Sequence, residues 1–170
     1  LELSVLPASG AHWLVPKLNN FMEKFPGITL NLTTKTEPFD FSRENFHAAI
    51  HFGSDDWPRS RSLLLMQEET VAVVSPNLEL KNGTLDAKNL SNIPLLHLRS
   101  RPNSWTNWFA QKVVDLEDTN GFQFDQFATM IQASIFGLGA AIVPKYLIES
   151  ELKEGRLVSL FDSEPSAIGS

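Results

Sequence analysis

The sequence predicts an α/β fold made of two halves of similar size, each with a largely parallel sheet, and three observations carry that expectation. Short runs of apolar residues at period two alternate with stretches at helical spacing along the whole chain. Glycine and proline break many of these runs, as at Pro7, Pro26-Gly27, Pro76, Gly137 and Gly155. The strand–helix–strand rhythm is found once before residue 70 and again after residue 94, and this rhythm favours parallel strands joined by helices.

Leu1, Leu3 and Val5 alternate as a strand would, and Pro7-Ala8-Ser9-Gly10 breaks the pattern. Trp13, Leu14, Leu18, Phe21, Met22 and Phe25 follow at helical spacing until Pro26-Gly27 stops the helix. Ile28 to Thr33 alternates as a second strand, and Phe46 to Phe52 reads as a short buried one. Leu63 to Met66 and Glu69 to Ser75 read as two more strands, the second ended by Pro76. A polar linker is expected over Asn77 to Asn92.

In the second half, Pro94 to Leu98 is strand-like and Arg99 to Asn103 is a loop. Ser104 stands where a cap would open a helix carrying Trp105, Trp108, Phe109 and Val113 on one face. Gly121 to Phe124 reads as a strand and Asp125 as an N-cap, followed by a helix from Phe127 to Phe136. Gly137-Leu138-Gly139 reads as a helix C-cap and tight turn, and Ala140 to Val143 as a buried strand closed by Pro144. A helix over Tyr146 to Glu154 ends at Gly155, and Leu157 to Phe161 is the last expected strand.

Composition narrows the function. The 170 residues are 42% hydrophobic, enough for a core in one domain or two small lobes. Net charge is −6, and the 14 Lys and Arg are scattered, so this segment lacks the basic patch that phosphate binding needs. With no cysteine there is no disulfide, thiolate metal site or cysteine nucleophile, which fits a reducing compartment. No apolar run approaches the ~20 residues of a membrane span. Leu1 to Leu6 lacks the basic flank and cleavage site of a signal peptide and opens directly as a strand, as an excised or processed fragment would.

A search for catalytic motifs finds no nucleophile elbow, no metal-binding His-Glu-x-x-His helix and no phosphate loop. His47 and His51 lie on an expected strand, where even spacing shares a face without forming a metal cluster, and His12 and His97 are distant in sequence. Asp55-Asp56 reads as a solvated turn, and Trp105 and Trp108 read as core. The feature that stands out is a set of three helix starts with backbone N–H donors: Pro7 to His12, Arg99 to Trp105, and Asp125 to Ala128. Arg99 and Arg101 add charge suited to a carboxylate. The bland alternative is that Ser9, Ser104 and Asp125 simply cap these helices.

Ordered motifs then point to a family. The run Trp13-Leu14-Val15-Pro16-Lys17-Leu18 with Phe25-Pro26-Gly27-Ile28 resembles the opening of the effector domain of LysR-type transcriptional regulators. Ala49-Ile50-His51-Phe52-Gly53 with Asp56-Trp57-Pro58, then Pro94-Leu95-Leu96-His97, Ser100-Arg101-Pro102 and Trp105, are similar to the subgroup typified by the glycine-cleavage activator. Gly137 to Pro144 and Gly155-Arg156-Leu157-Val158 continue the match, in family order, to about residue 161.

The resemblance implies two Rossmann-like lobes of the type II periplasmic-binding-protein kind: lobe I over 1–71, lobe II over 72–165, and 166–170 starting back toward lobe I. Lobe I is then expected to lack its returning C-terminal segment, leaving a sheet edge that invites association. The resemblance also implies a homodimer or tetramer, a cytoplasmic bacterial regulator, no cofactor, no metal, no membrane partner and no catalysis. DNA would be contacted only through a winged helix-turn-helix that this chain does not contain. A small anionic or aromatic effector would be bound by Ala8, Ser9, Gly10, Thr34, Thr36, His97, Arg99, Ser100, Asp125 and Phe127. The chain departs from the subgroup at four positions. Ala8 replaces a serine, Phe127 a small polar residue, Ala48 an acidic residue and His51 an arginine. The changes at 8 and 127 favour a more apolar or aromatic effector. The competing readings are a transport solute-binding protein, a small hydrolase using the same crevice, and an interaction module with a degenerate crevice.

Overall fold

A computed structural model of the chain describes residues 1–54, 56–57, 59–78, 90–112 and 121–160. They form two compact units, one spanning Leu1–Glu68 and the other beginning at Glu69, each with its own sheet. Most of the expected linker, Asp55, Val113, Phe161 and the expected return segment at 166–170 lie outside the described residues.

In the first unit β1 (Glu2–Val5) is the central strand. It pairs in parallel with β2 (Asn31–Thr34) on one side and β3 (Ala48–Ile50) on the other. Leu3, Ser4 and Val5 are buried, as expected of a strand flanked on both edges. Pro7 occupies the first helical position, where its missing N–H costs nothing, and opens α1 (Pro7–Ser9). A π-helical turn, Gly10–Leu14, leads into α2 (Val15–Lys24). Pro16 explains the widened turn: its ring has no N–H and would press on the carbonyl four residues earlier in a regular helix.

The second unit holds a five-stranded sheet in the order β6-β5-β7-β4-β8. Its strands are β4 (Thr70–Val74), β5 (Leu95–Leu98), β6 (Gly121–Phe124), β7 (Ala140–Pro144) and β8 (Val158–Ser159). The helices are α3 (Ser104–Gln111), α4 (Phe127–Ile135) and α5 (Glu149–Lys153). β5 runs parallel to β6 and β7, while β4 is antiparallel to β7 and β8, so this sheet is mixed. The core packs Trp105 and Phe109 of α3 against Val74, Leu95 and Ile142. Trp105 is 1% exposed and donates its indole N–H to the Leu96 carbonyl at 2.9 Å.

Gly137 ends α4 as expected. Its φ of +77° is costly for other residues, and paired hydrogen bonds from Gly137 to Ser134 and from Leu138 to Ala133 close the helix end. Gly139 then brings the chain so close to β5 that a Cβ there would lie 2.2 Å from the Pro94 carbonyl oxygen.

Two expectations are corrected. Leu63 to Met66 is not a strand: it is irregular, with Leu63 72% and Leu64 77% exposed, and none of the described strands pairs with it. The Phe46 to Phe52 strand shortens to Ala48–Ile50 and is half-exposed; among the described residues β3 pairs with β1 alone, at the edge of the sheet.

Trp105→Ala is expected to lower stability by about 3–5 kcal/mol in denaturant unfolding. Trp105→Phe keeps most of the ring packing but removes the donor to Leu96, and is expected to cost about 1–3 kcal/mol.

Candidate effector site

In the first unit the expected residues gather where the strands end. Val5 and Thr34 are in register at the carboxyl ends of β1 and β2, and the Lys35 N–H donates to the Val5 carbonyl at 3.1 Å. Ala8, Ser9 and Gly10 follow β1 directly and are buried. Gly10 allows this close return, since a Cβ there would lie 2.9 Å from a Val5 methyl group. Thr34 and Thr36 are exposed on the neighbouring strand end and its loop.

His51 joins this group. It immediately follows β3, and its Nε2 lies 3.4 Å from the Thr36 carbonyl oxygen. Its ring packs against Trp57 with centroids 5.1 Å apart, and Trp57 in turn meets Phe39 and Phe41. Lys35 lies over the Phe39 and Phe46 rings and pairs with Glu44. The loop after Thr36 therefore has a small aromatic core of its own. His47, at the other end of β3, accepts the Glu2 N–H through Nδ1 at 3.0 Å. The two histidines flank the short strand, and among the described residues no group of three or more His, Asp or Glu could hold a metal ion.

In the second unit the gathering is similar. The Arg99 N–H donates to the Phe124 carbonyl at 2.8 Å, tying the loop after β5 to the end of β6. His97 lies opposite Gln123 in β6 and is half-buried. Arg99, Ser100 and Asp125 are exposed, and Phe127 is half-buried at the first position of α4. Arg101 is fixed at its backbone, donating to the Leu98 carbonyl and accepting from both the N–H and Oγ of Ser104. Its guanidinium lies over the Phe127 ring, 5.0 Å from the centroid.

The expected caps are corrected. The residues preceding α1, α3 and α4 are Leu6, Asn103 and Gln126, and none makes a side-chain capping bond. Ser9 is buried inside the first helical run, Ser104 is the first residue of α3, and Asp125 sits one residue before the cap position. The run from Pro7 is also not an exposed row of donors, since Ala8 to Gly10 are buried and the Gly10 N–H is bonded to the Leu6 carbonyl. His51 and Trp57 were the members that sequence spacing did not assign, while Arg101 was noted beside Arg99 for its charge but not for its contact with Phe127. Position at a strand's carboxyl end would have flagged His51, but no local pattern links Arg101 to Phe127.

In each unit, then, polar and aromatic residues collect at the carboxyl ends of parallel strands, the usual location of ligand sites in open α/β sheets. A small-molecule-binding domain with a type II periplasmic-binding-protein-like fold is the class so defined. The chain matches the LysR substrate binding domain over residues 1–168, and it belongs to that family.

The chain is 32% identical over 153 residues to the HTH-type transcriptional regulator TrpI of Pseudomonas aeruginosa, covering 88% of this chain and 52% of that protein. It is 32% identical over 164 residues to the glycine cleavage system transcriptional activator of Escherichia coli K12, covering 95% of this chain and 53% of that protein. The chain thus spans about half the length of the curated relatives it matches. Among solved structures, the AmpR effector binding domain from Citrobacter freundii superimposes with a TM-score of 0.84 at 26% identity, covering 100% of this chain and 84% of that one. The CrgA regulatory domain from Neisseria meningitidis, at 21% identity, shares the fold with a TM-score of 0.80 over 94% of this chain and 79% of that one.

The loop beside Thr36 is ordered partly by Asp40, whose carboxylate accepts the Ser42 Oγ–H at 2.7 Å and the Ser42 N–H at 2.8 Å. The Ser42 side-chain bond, then its backbone bond, hold the Asp40 pKa below the ordinary carboxylate value, with smaller help from Arg59 and Arg43. The stabilisation is therefore present above the ordinary unfolded value and is lost as pH falls through the lower folded one. NMR titration of the Ser42→Ala chain is expected to show the Asp40 carboxyl moving back up toward the ordinary range.

Proposed function

We propose that this chain is the small-molecule-sensing part of a cytoplasmic bacterial transcriptional regulator, and that it acts by binding without turnover. The single observation that carries the reading is the match to one family of regulatory domains along nearly the whole chain. The residues gathered at the strand ends add chemical support. In this reading Ala8, Ser9, Gly10, Thr34 and Thr36 of the first unit, and His97, Arg99, Ser100, Asp125 and Phe127 of the second, take part in holding a small organic anion. Arg99 supplies the charge, Ser9 and the threonines supply hydroxyls, and Ala8 and Phe127 favour an apolar or aromatic body.

Transcription would be regulated through a DNA-binding winged helix-turn-helix elsewhere in the intact protein, since the charge of this segment suits no direct contact with phosphate. An effector changes such a regulator only by binding one of its conformations more tightly than another. Self-association is part of the reading. It is supported by α2, which buries none of its own residues and presents a groove of Phe21 and Phe25 flanked by Lys17 and Lys24.

Screening the purified chain against amino acids, organic acids and aromatic acids by thermal unfolding tests the sensor reading. A ligand at ~100 times its Kd is expected to add about 2.7 kcal/mol. Arg99→Gln is expected to abolish the shift without changing the melting temperature of the free protein. No shift with any acid, from a chain that unfolds cooperatively, would refute the reading. In sedimentation equilibrium the chain is expected to form dimers or tetramers that Phe25→Glu converts to monomers. A monomer at all concentrations would rule out association through this surface.

A further inference from the structure

His47 stands just before β3 and is bonded twice to Glu2, the first residue of β1. Its backbone N–H donates to the Glu2 carbonyl at 2.9 Å, and the Glu2 N–H donates back to the His47 ring at Nδ1, 3.0 Å away. A backbone N–H can only donate, so this Nδ1 is unprotonated and the ring is neutral, with its proton on Nε2. A protonated imidazole carries an N–H on both nitrogens, and turning the ring over restores no acceptor. The bond from Glu2 therefore exists in one charge state of His47 and is lost in the other.

The bond lies where little else holds the strand. β3 is three residues long, and among the described residues it pairs with β1 alone. The two bonds between His47 and Glu2 close the start of that ladder, one step before the Leu3–Ala48 pair. At the other end of β3, His51 places its Nε2 3.4 Å from the Thr36 carbonyl oxygen and packs its ring on Trp57. The charged groups on the surrounding elements are engaged elsewhere. The Glu2 carboxylate accepts from the side chain of Asn31 in β2, which flanks β1 on the side away from β3, and the Leu1 amino group donates to the Thr29 carbonyl. On the chain leading to His47, Glu44 pairs with Lys35, and Arg43 lies 3.9 Å from Asp40.

We propose that His47 is a proton-sensitive latch on β3: neutral, it closes the start of the β1–β3 ladder, and protonated, it opens that edge and loosens the strand that leads to His51. The pairing held at this point is present while the ring is neutral. It is lost as pH falls through the range in which imidazole gains its proton, about pH 8 to 5. The latch belongs to the free chain and does not rest on the effector-site reading.

The test is NMR on the whole chain without ligand. At about pH 7.5, long-range proton–nitrogen spectra are expected to show the His47 ring protonated on Nε2 and bare on Nδ1. Between about pH 7.5 and 5.5, amide exchange corrected for its intrinsic pH dependence is expected to show the Glu2 amide losing protection about three- to tenfold, the scale of one hydrogen bond, and the β3 amides losing protection with it. His47→Asn keeps an acceptor oxygen near the place of Nδ1 but cannot gain a proton, and is expected to hold protection at both pH values. His47→Leu is expected to show the low protection at both. His51→Gln separates the two histidines and is expected to leave the response intact. Circular dichroism of each variant establishes that it is folded. A neutral ring protonated on Nδ1 in the unaltered chain would overturn the proposal, as would protection independent of pH. So would a pH response that survives in His47→Asn, or a loss confined to the Glu2 amide with the β3 amides unchanged.

Discussion

Parallel strand pairing decides where chemistry can gather in this molecule. Strands that run the same way cannot be joined by a hairpin, so the chain must leave each strand at one edge of the sheet and cross a face to begin the next. β1 with β2 and β3, and β5 with β6 and β7, all follow this rule. Their carboxyl ends therefore open on loops and helix starts, and the residues there are released from core packing to be polar or aromatic. Thr34, Thr36 and His51 occupy such positions in one unit, and Arg99, Ser100, Arg101 and Asp125 in the other. The antiparallel strands β4 and β8 are exempt from the rule, and none of the candidate binding residues lies on them.

Rigidity is supplied beneath these loops by a small number of contacts. Trp105 binds α3 to β5 through its indole N–H, and Gly139 permits the close approach between the chain entering β7 and the start of β5. The Arg99 N–H joins the end of β5 to the end of β6. A loop held this way can present a charged side chain without the entropic penalty of ordering it at the moment of binding.

Much of the fold was legible because its signals are local. β6 was readable to the residue from its flanking turn signals, and the ends of α4 and α5 from Gly137 and Gly155, since a positive φ is a property of one residue. The failures were non-local or depended on fine position. Leu63 to Met66 has the composition of a strand, but a strand needs a neighbour to complete its ladder, and composition cannot report whether one is present. The three caps were misplaced because Pro7 can open a helix without a capping side chain, and because serine and aspartate are at home one or two positions to either side. Of the site, the strand-end residues were accessible from order and resemblance. The contact of Arg101 with Phe127 was not, since it exists only once β5 and β6 are side by side.

The claim that joins these observations is that strand carboxyl ends, and not the exposed helix face of α2, form the effector-binding surface. Amide chemical-shift mapping with an acid that stabilises the chain tests it most directly. The expected result is saturable shifts at Thr34, Thr36, Arg99, Ser100 and Asp125, with the amides of residues 16–25 unmoved. Shifts concentrated on Lys17, Phe21 and Lys24, with the strand ends silent, would contradict the account.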